Sequence, residues 1–112
     1  MQKLTLYEDI FDALEKSKVT TIRKGRRDIA LGELLFESVE TNRQQIVDVV
    51  MVYYTRLENV KREDLENDGF KNHQDMWQQM QRFYPDIGLE DEVTVIIFNC
   101  KLLMVNAIGV VF

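Results

Sequence analysis

The stretch QQIVDVVMVYYTRL, residues 44–57, decides how the chain folds. Its apolar residues occupy both alternating sets of positions, with Ile46 on one set and Val47 and Val49 on the other. A run of this kind is apolar on both faces, which suits a central strand or the wall of a barrel. Upstream, ALGELLFESVE (30–40) holds a glycine turn followed by a strand from about Glu33 to Val39. Before it, VTTIRK (19–24) is short and rich in β-branched residues, so a strand is expected from near Val19. In a regular strand Thr20 and Ile22 share one face, while Val19, Thr21 and Arg23 share the other. Ile22 is then directed to the core, and Thr21 and Arg23 to whatever lies opposite.

The strands alternate with helical patterns. In TLYEDIFDALEKSK (5–18), Tyr7, Ile10, Phe11 and Leu14 recur at i, i+3, i+4 and i+7, the stripe of an amphipathic helix, and Thr5 with Glu8 form a capping-box pair at its start. Downstream, NVKREDLENDGF (59–70) and NHQDMWQQMQRFYP (72–85) read as two short helices. Gly69 stops the first, Asn72 with Asp75 starts the second, and Pro85 ends it. Met76, Met80, Phe83 and Tyr84 form the apolar stripe of the second, read as core packing. DEVTVIIFNCKLL (91–103) is another strand, and MVNAIGVVF (104–112) is a candidate for one more. This order implies an α+β domain, a small mixed and mostly antiparallel barrel with helices at its side.

A chain of 112 residues makes one domain. It is 46% hydrophobic and 29% charged, a globular composition, and no window is apolar enough to span a membrane. The acidic start MQKLTLYEDIFD lacks the apolar core of a signal peptide, so a cytoplasmic location is expected. With 19 acids against 14 Lys and Arg, the net charge of −5 disfavours non-specific nucleic-acid binding. Against that background RKGRR (23–27) places four cations in five positions. The uncharged tail from Leu102 is expected to be buried, against its own barrel or a second copy.

Most catalytic constellations are missing. His73 is the single histidine, read as an exposed helix residue, and Cys100 the single cysteine, read as a small core residue. No metal site is expected. REDLEND (62–68) lacks the spacing of a calcium loop and reads as a solvated helix face. Neither a phosphate-binding glycine loop nor G-x-S-x-G occurs. What remains is SKVTTIRKG (17–25), where two threonines stand among Lys18, Arg23 and Lys24. A threonine hydroxyl becomes a nucleophile when a base takes its proton, and a lysine becomes that base when burial or nearby cations lower its pKa. The same residues also read as an ordinary strand with solvent-facing cations.

A resemblance bears on that choice. The pattern I-x-x-A-L-x-x-x-K-V-T-T-I-R (10–23), with LGELL (31–35), NDGF (67–70), MWQQMQRFYP (76–85) and VTVIIF (93–98), resembles the ASCH domain family of the PUA-like superfamily over residues 5–103. Residues 104–112 are an extra apolar segment. The likeness is to small bacterial ASCH proteins that remove the acetyl group from N4-acetylcytidine. It implies Lys18 as base and Thr21 as nucleophile, matching their K-x-x-T-I-R motif. The acid of that family is a glutamate; its counterpart here is Asp68, with Glu66 as the second candidate, so the side chain at Asp68 is one methylene shorter. Arg23, Lys24, Arg26 and Phe70 are the expected substrate-binding residues, and Tyr53, Tyr54 and Trp77 join Phe70 as candidates for a flat wall against the base. No cofactor is implied. The expected partner is a small nucleoside; the alternative is a non-catalytic module binding single-stranded RNA or a modified nucleotide through RKGRR and the same cleft, and burial of the tail on a second copy, in place of its own barrel, would make a homodimer.

Overall fold

A computed structural model describes residues 1–7, 9, 10, 14 and 19–100. Lys18, the side chain of Cys100 and the tail from 101 onward therefore lie outside the described residues. Five strands form one sheet: β1 (Lys3–Leu6), β2 (Thr20–Lys24), β3 (Gly32–Ser38), β4 (Gln44–Arg56) and β5 (Glu92–Cys100). Their spatial order is β1-β3-β4-β5-β2. The β1–β3 pair is parallel and the other three are antiparallel, so the sheet is mixed and mostly antiparallel. It curls into a half-barrel, and the helices described in full at its side are α1 (Arg62–Asn67) and α2 (His73–Met80). Among the described residues no helix is long and apolar enough to cross a membrane.

The 44–57 stretch is indeed the central strand, and its alternation sorts side chains into two cores. On the concave side Leu34, Phe36, Val47, Val49, Ile96 and Phe98 pack with Leu4 and Leu6 of β1. Phe36 and Phe98 meet edge to face, ring centroids 5.2 Å apart. On the convex side Ile22, Val93 and Val95 pack against Leu65, Met76 and Met80 from the helices. The helices cover only part of that face. Val50 and Met51, beside an irregularity in the β4–β5 register, keep 44% and 49% of their surface exposed, so β4 is apolar on both faces but buried on both along only part of its length.

The start of the chain differs from its sequence reading. Thr5 belongs to β1, paired in parallel with β3, so it cannot cap a helix; helical backbone is found at Asp9, Ile10 and Leu14. Strand period wins over helical period here because Leu4 and Leu6 bury while Lys3 and Thr5 stay exposed. His73 is half-buried rather than exposed: its Nε2 lies 2.8 Å from the Val60 carbonyl oxygen, and since that oxygen accepts, Nε2 carries the proton. Nor is REDLEND wholly solvated. Asp64 faces inward, buried, and accepts a hydrogen bond from the Tyr53 hydroxyl, while Glu63, Glu66 and Asn67 stay exposed.

The Gly69 stop and the Asn72 start follow the expected chemistry, whereas Pro85 does not end the second helix. Gly69 has φ +100° at the end of α1, where its N–H donates to the Glu66 carbonyl and the Phe70 N–H donates to that of Leu65. This is a Schellman stop, with Phe70 and Leu65 sharing the convex core. Asn72 accepts from the Asp75 N–H at 2.8 Å, and the Asp75 carboxylate accepts from the Lys71 N–H at 2.9 Å. The second helix ends at Met80, five residues before Pro85. A Cβ at Gly69 would meet no atom within 4 Å, so Gly69→Ala should cost backbone strain alone, about 1–2 kcal/mol. Urea unfolding should show this as a lower midpoint at unchanged slope, with Gly88→Ala, where a Cβ meets only an ordinary 3.9 Å contact, changing little.

Candidate functional site

The sheet leaves its two edge strands, β1 and β2, without a backbone pairing between them. Among the described residues the Arg23 side chain bridges the gap. Arg23 Nη2 donates to the Thr5 carbonyl at 3.0 Å, and Arg23 Nε donates to Thr21 Oγ1 at 3.2 Å. Thr21 pairs with Ile96 and Arg23 with Thr94, so both side chains lie on the concave face, opposite Ile22, as strand alternation requires.

At this gap lies a cavity of about 420 Å³, a size that suits a small organic ligand. The sheet side contributes Thr21 and Arg23 from β2, Leu6 from β1 and Tyr7 just beyond it. The helical side contributes Asp68, Gly69 and Phe70 from the α1 stop, Gln79 and Met80 from α2, and Arg82, Phe83 and Tyr84 after it. The Schellman turn explains why Asp68 and Phe70 arrive together: reversing the chain at Gly69 turns both onto the same wall.

The electrostatics centre on Arg23. Burial pushes its pKa down to about 10, aided by repulsion from Arg27 and opposed by Tyr84, so it remains a cation at neutral pH. Its neighbour Thr21 is buried, and the hydroxyl oxygen that accepts from Nε keeps its own proton to give away. At the other end Arg82 Nη1 donates to Asp9 Oδ2 at 2.9 Å, which holds the Asp9 carboxyl below its ordinary pKa.

Of the residues singled out from the sequence, Thr21, Arg23, Asp68 and Phe70 line this one cavity. Others stand elsewhere. Glu66 is on the exposed side of α1, paired with Arg62 at 3.0 Å. Arg26 pairs with Glu92 at 3.1 Å and stacks over Tyr54, 3.9 Å from its centroid. Lys24 is half-buried and is not on the cavity wall. The wall also omits Tyr53, bonded to Asp64, Tyr54, whose hydroxyl donates to the Arg27 carbonyl, and Trp77, whose Nε1 donates to the Ile87 carbonyl. In RKGRR, Arg23 and Lys24 end β2 and the rest is a pinned turn, closed by Gly25 at φ +84° and by Thr94 Oγ1, which accepts from the Arg27 N–H and donates to the Gly25 carbonyl. Sequence reading missed Tyr7 and Phe83 on the wall. Tyr7 was hidden by the misplaced helix start, and Phe83 by its assignment to a helix stripe, although the helix ends three residues earlier.

Replacing Arg23 should open the gap it bridges. Arg23→Ala is expected to cost about 1.5–3 kcal/mol, the range of hydrogen bonds involving charged groups, and to speed amide exchange in residues 3–6. Unchanged exchange in β1 would show that the strand does not need the bridge.

No family model matches the sequence, and no curated protein matches it. Solved structures do match in fold. A point mutant of the ASCH protein from Zymomonas mobilis superposes at TM-score 0.64 with 10% identity, covering 87% of this chain and 66% of that one. The unmutated Zymomonas mobilis ASCH gives 0.63 with 10% identity, over 87% of this chain and 65% of that one. The ASCH domain from Lactobacillus crispatus gives 0.62 with 12% identity, over 88% and 79%. This chain thus spans about two thirds of the length of the Zymomonas protein. The half-barrel, with its mixed sheet and two flanking helices, is the ASCH-domain fold.

Proposed function

We propose that the chain is an amidohydrolase that removes the acetyl group from N4-acetylcytidine or a related acylated nucleoside, with Thr21 as nucleophile. The observation that carries this reading is the pairing of Thr21 with Arg23 on the wall of a ligand-sized cavity that Asp68 also lines. A cation bonded to the hydroxyl oxygen lowers the cost of developing negative charge there, and the hydroxyl proton is left for a base. Lys18, three residues before Thr21, is the base in this reading.

The steps balance as an ordinary acyl transfer. Thr21 Oγ bonds to the acetyl carbonyl carbon as its proton passes to Lys18 Nζ. The bond from that carbon to N4 breaks while N4 takes a proton from the Asp68 carboxyl, and cytidine leaves. Water then attacks the ester and gives a proton to Asp68; Lys18 returns its proton to Thr21 Oγ, and acetic acid departs. Asp68 is preferred to Glu66 as the acid because Glu66 faces away, in its pair with Arg62.

The alternative is binding of single-stranded RNA or a modified nucleotide through RKGRR and the same cleft; there Arg26 would have to leave Glu92 and Tyr54, while Arg23 is bonded to Thr21 and Thr5. Chromatography of N4-acetylcytidine incubated with the protein separates the two. Turnover should be lost in Thr21→Ala and fall by about 10²–10⁴ in Lys18→Ala and Asp68→Asn, the usual worth of a general acid or base. Turnover untouched by Thr21→Ala would remove the mechanism. Salt-sensitive RNA binding without turnover would favour the alternative.

A further inference from the structure

Two aromatic rings on the cavity wall have no part in either core among the described residues. Tyr7 and Phe83 stack with centroids 5.3 Å apart and planes at 27°, yet neither belongs to the concave or the convex cluster. The other two aromatics of the cavity, Phe70 and Tyr84, do pack against the convex core and are accounted for by it. Tyr7 is 42% exposed, so the pair stands where the cavity meets solvent.

The pair is also braced. Arg82 lies 5.1 Å from the Phe83 centroid and 5.4 Å from that of Tyr7, and Asp9 anchors it across the mouth. Because the charge of Arg82 is matched by Asp9, a group resting on the rings has no need to be an anion. Apolar, flat and charge-balanced surface is what an uncharged planar ring recognises.

We infer that Tyr7 and Phe83 form the binding platform for the heteroaromatic ring of the ligand, and that Arg82 and Asp9 hold the platform in place. The inference rests on the reading of the cavity as a nucleoside site and assigns to it the residues that select a planar base. The ring then lies between the platform and the wall that carries Thr21, with its exocyclic substituent directed to that hydroxyl.

Calorimetric titration of the whole chain with cytidine, and with ribose as the probe that lacks a base, tests this without relying on turnover. Cytidine should bind and ribose should not. Phe83→Leu, which keeps the bulk but removes the ring face, should weaken cytidine binding roughly five- to a hundredfold, the range of base–aromatic stacking, while Phe83→Trp restores it. Tyr7→Leu should weaken it in the same direction. Thermal melts should move little, since neither ring is in a core. Cytidine binding by Phe83→Leu equal to that of the parent, ribose binding as tight as cytidine, or no cytidine binding by the parent would each overturn the platform. Ring-dependent binding by a protein that leaves N4-acetylcytidine intact would uphold the platform and remove the hydrolase instead.

Discussion

Arg23 reaches from one edge of the sheet to the other, its two donors shared between the Thr5 carbonyl of β1 and the Thr21 hydroxyl of its own strand. Both strands are edges, and their backbones do not pair with one another. Had they paired, the barrel would be closed and its interior filled by side chains. A guanidinium in place of the missing ladder leaves a gap that is held at a fixed width but not filled. Lysine could not substitute, because a single ammonium lacks the planar fork that serves two acceptors in set directions. β1 is placed by its ladder with β3, and Arg23 then spans the gap that remains, setting a cation beside both Thr21 and the cavity.

The helical side of the cavity is positioned by backbone geometry more than by packing alone. Gly69 adopts a φ that other residues resist, which reverses the chain and sets Asp68 and Phe70 on the wall. The α2 helix is then anchored by Asn72, which accepts from the Asp75 N–H, and by the Asp75 carboxylate, which accepts from the Lys71 N–H, and its buried Met76 and Met80 fix it to β5 and β2 through the convex core. Past Met80 the chain delivers Arg82 and Phe83 to the mouth, where Asp9 and Tyr7 arrive from the end of β1. Sheet and helices therefore meet across the cavity by contacts that are largely solvent-exposed, and such contacts are individually weak.

Much of this is written locally in the chain. The run 44–57, apolar on both sets of alternating positions, marks the central strand, TTIR places Thr21 and Arg23 on one face, and NDGF and NHQD mark the end of the first helix and the start of the second. What escaped is non-local. KLTL carries four residues of strand period beside fourteen of helical pattern, and only the parallel pairing with β3 decides between them. RKGRR looks like a row of equivalent cations until Glu92 and Tyr54, distant in sequence, engage Arg26 and Thr94 accepts from the Arg27 backbone N–H. Likewise Asp64 and His73 look solvated until Tyr53 and Val60 are brought to them. Charge pattern reports composition, and only tertiary contacts say which charges remain for a ligand.

The chemistry turns on whether the Thr21 oxygen, bonded to a cation and facing a cavity, forms a covalent ester. Mixing the protein with N4-acetylcytidine, quenching in acid within the first turnover and measuring the mass of the intact chain and its peptides tests this most directly. The account predicts a species heavier by one acetyl group, located on the peptide that contains Thr21 and absent from Thr21→Val. An acetyl group mapped to any other residue, or acetate released by Thr21→Val at the parent rate, would contradict it.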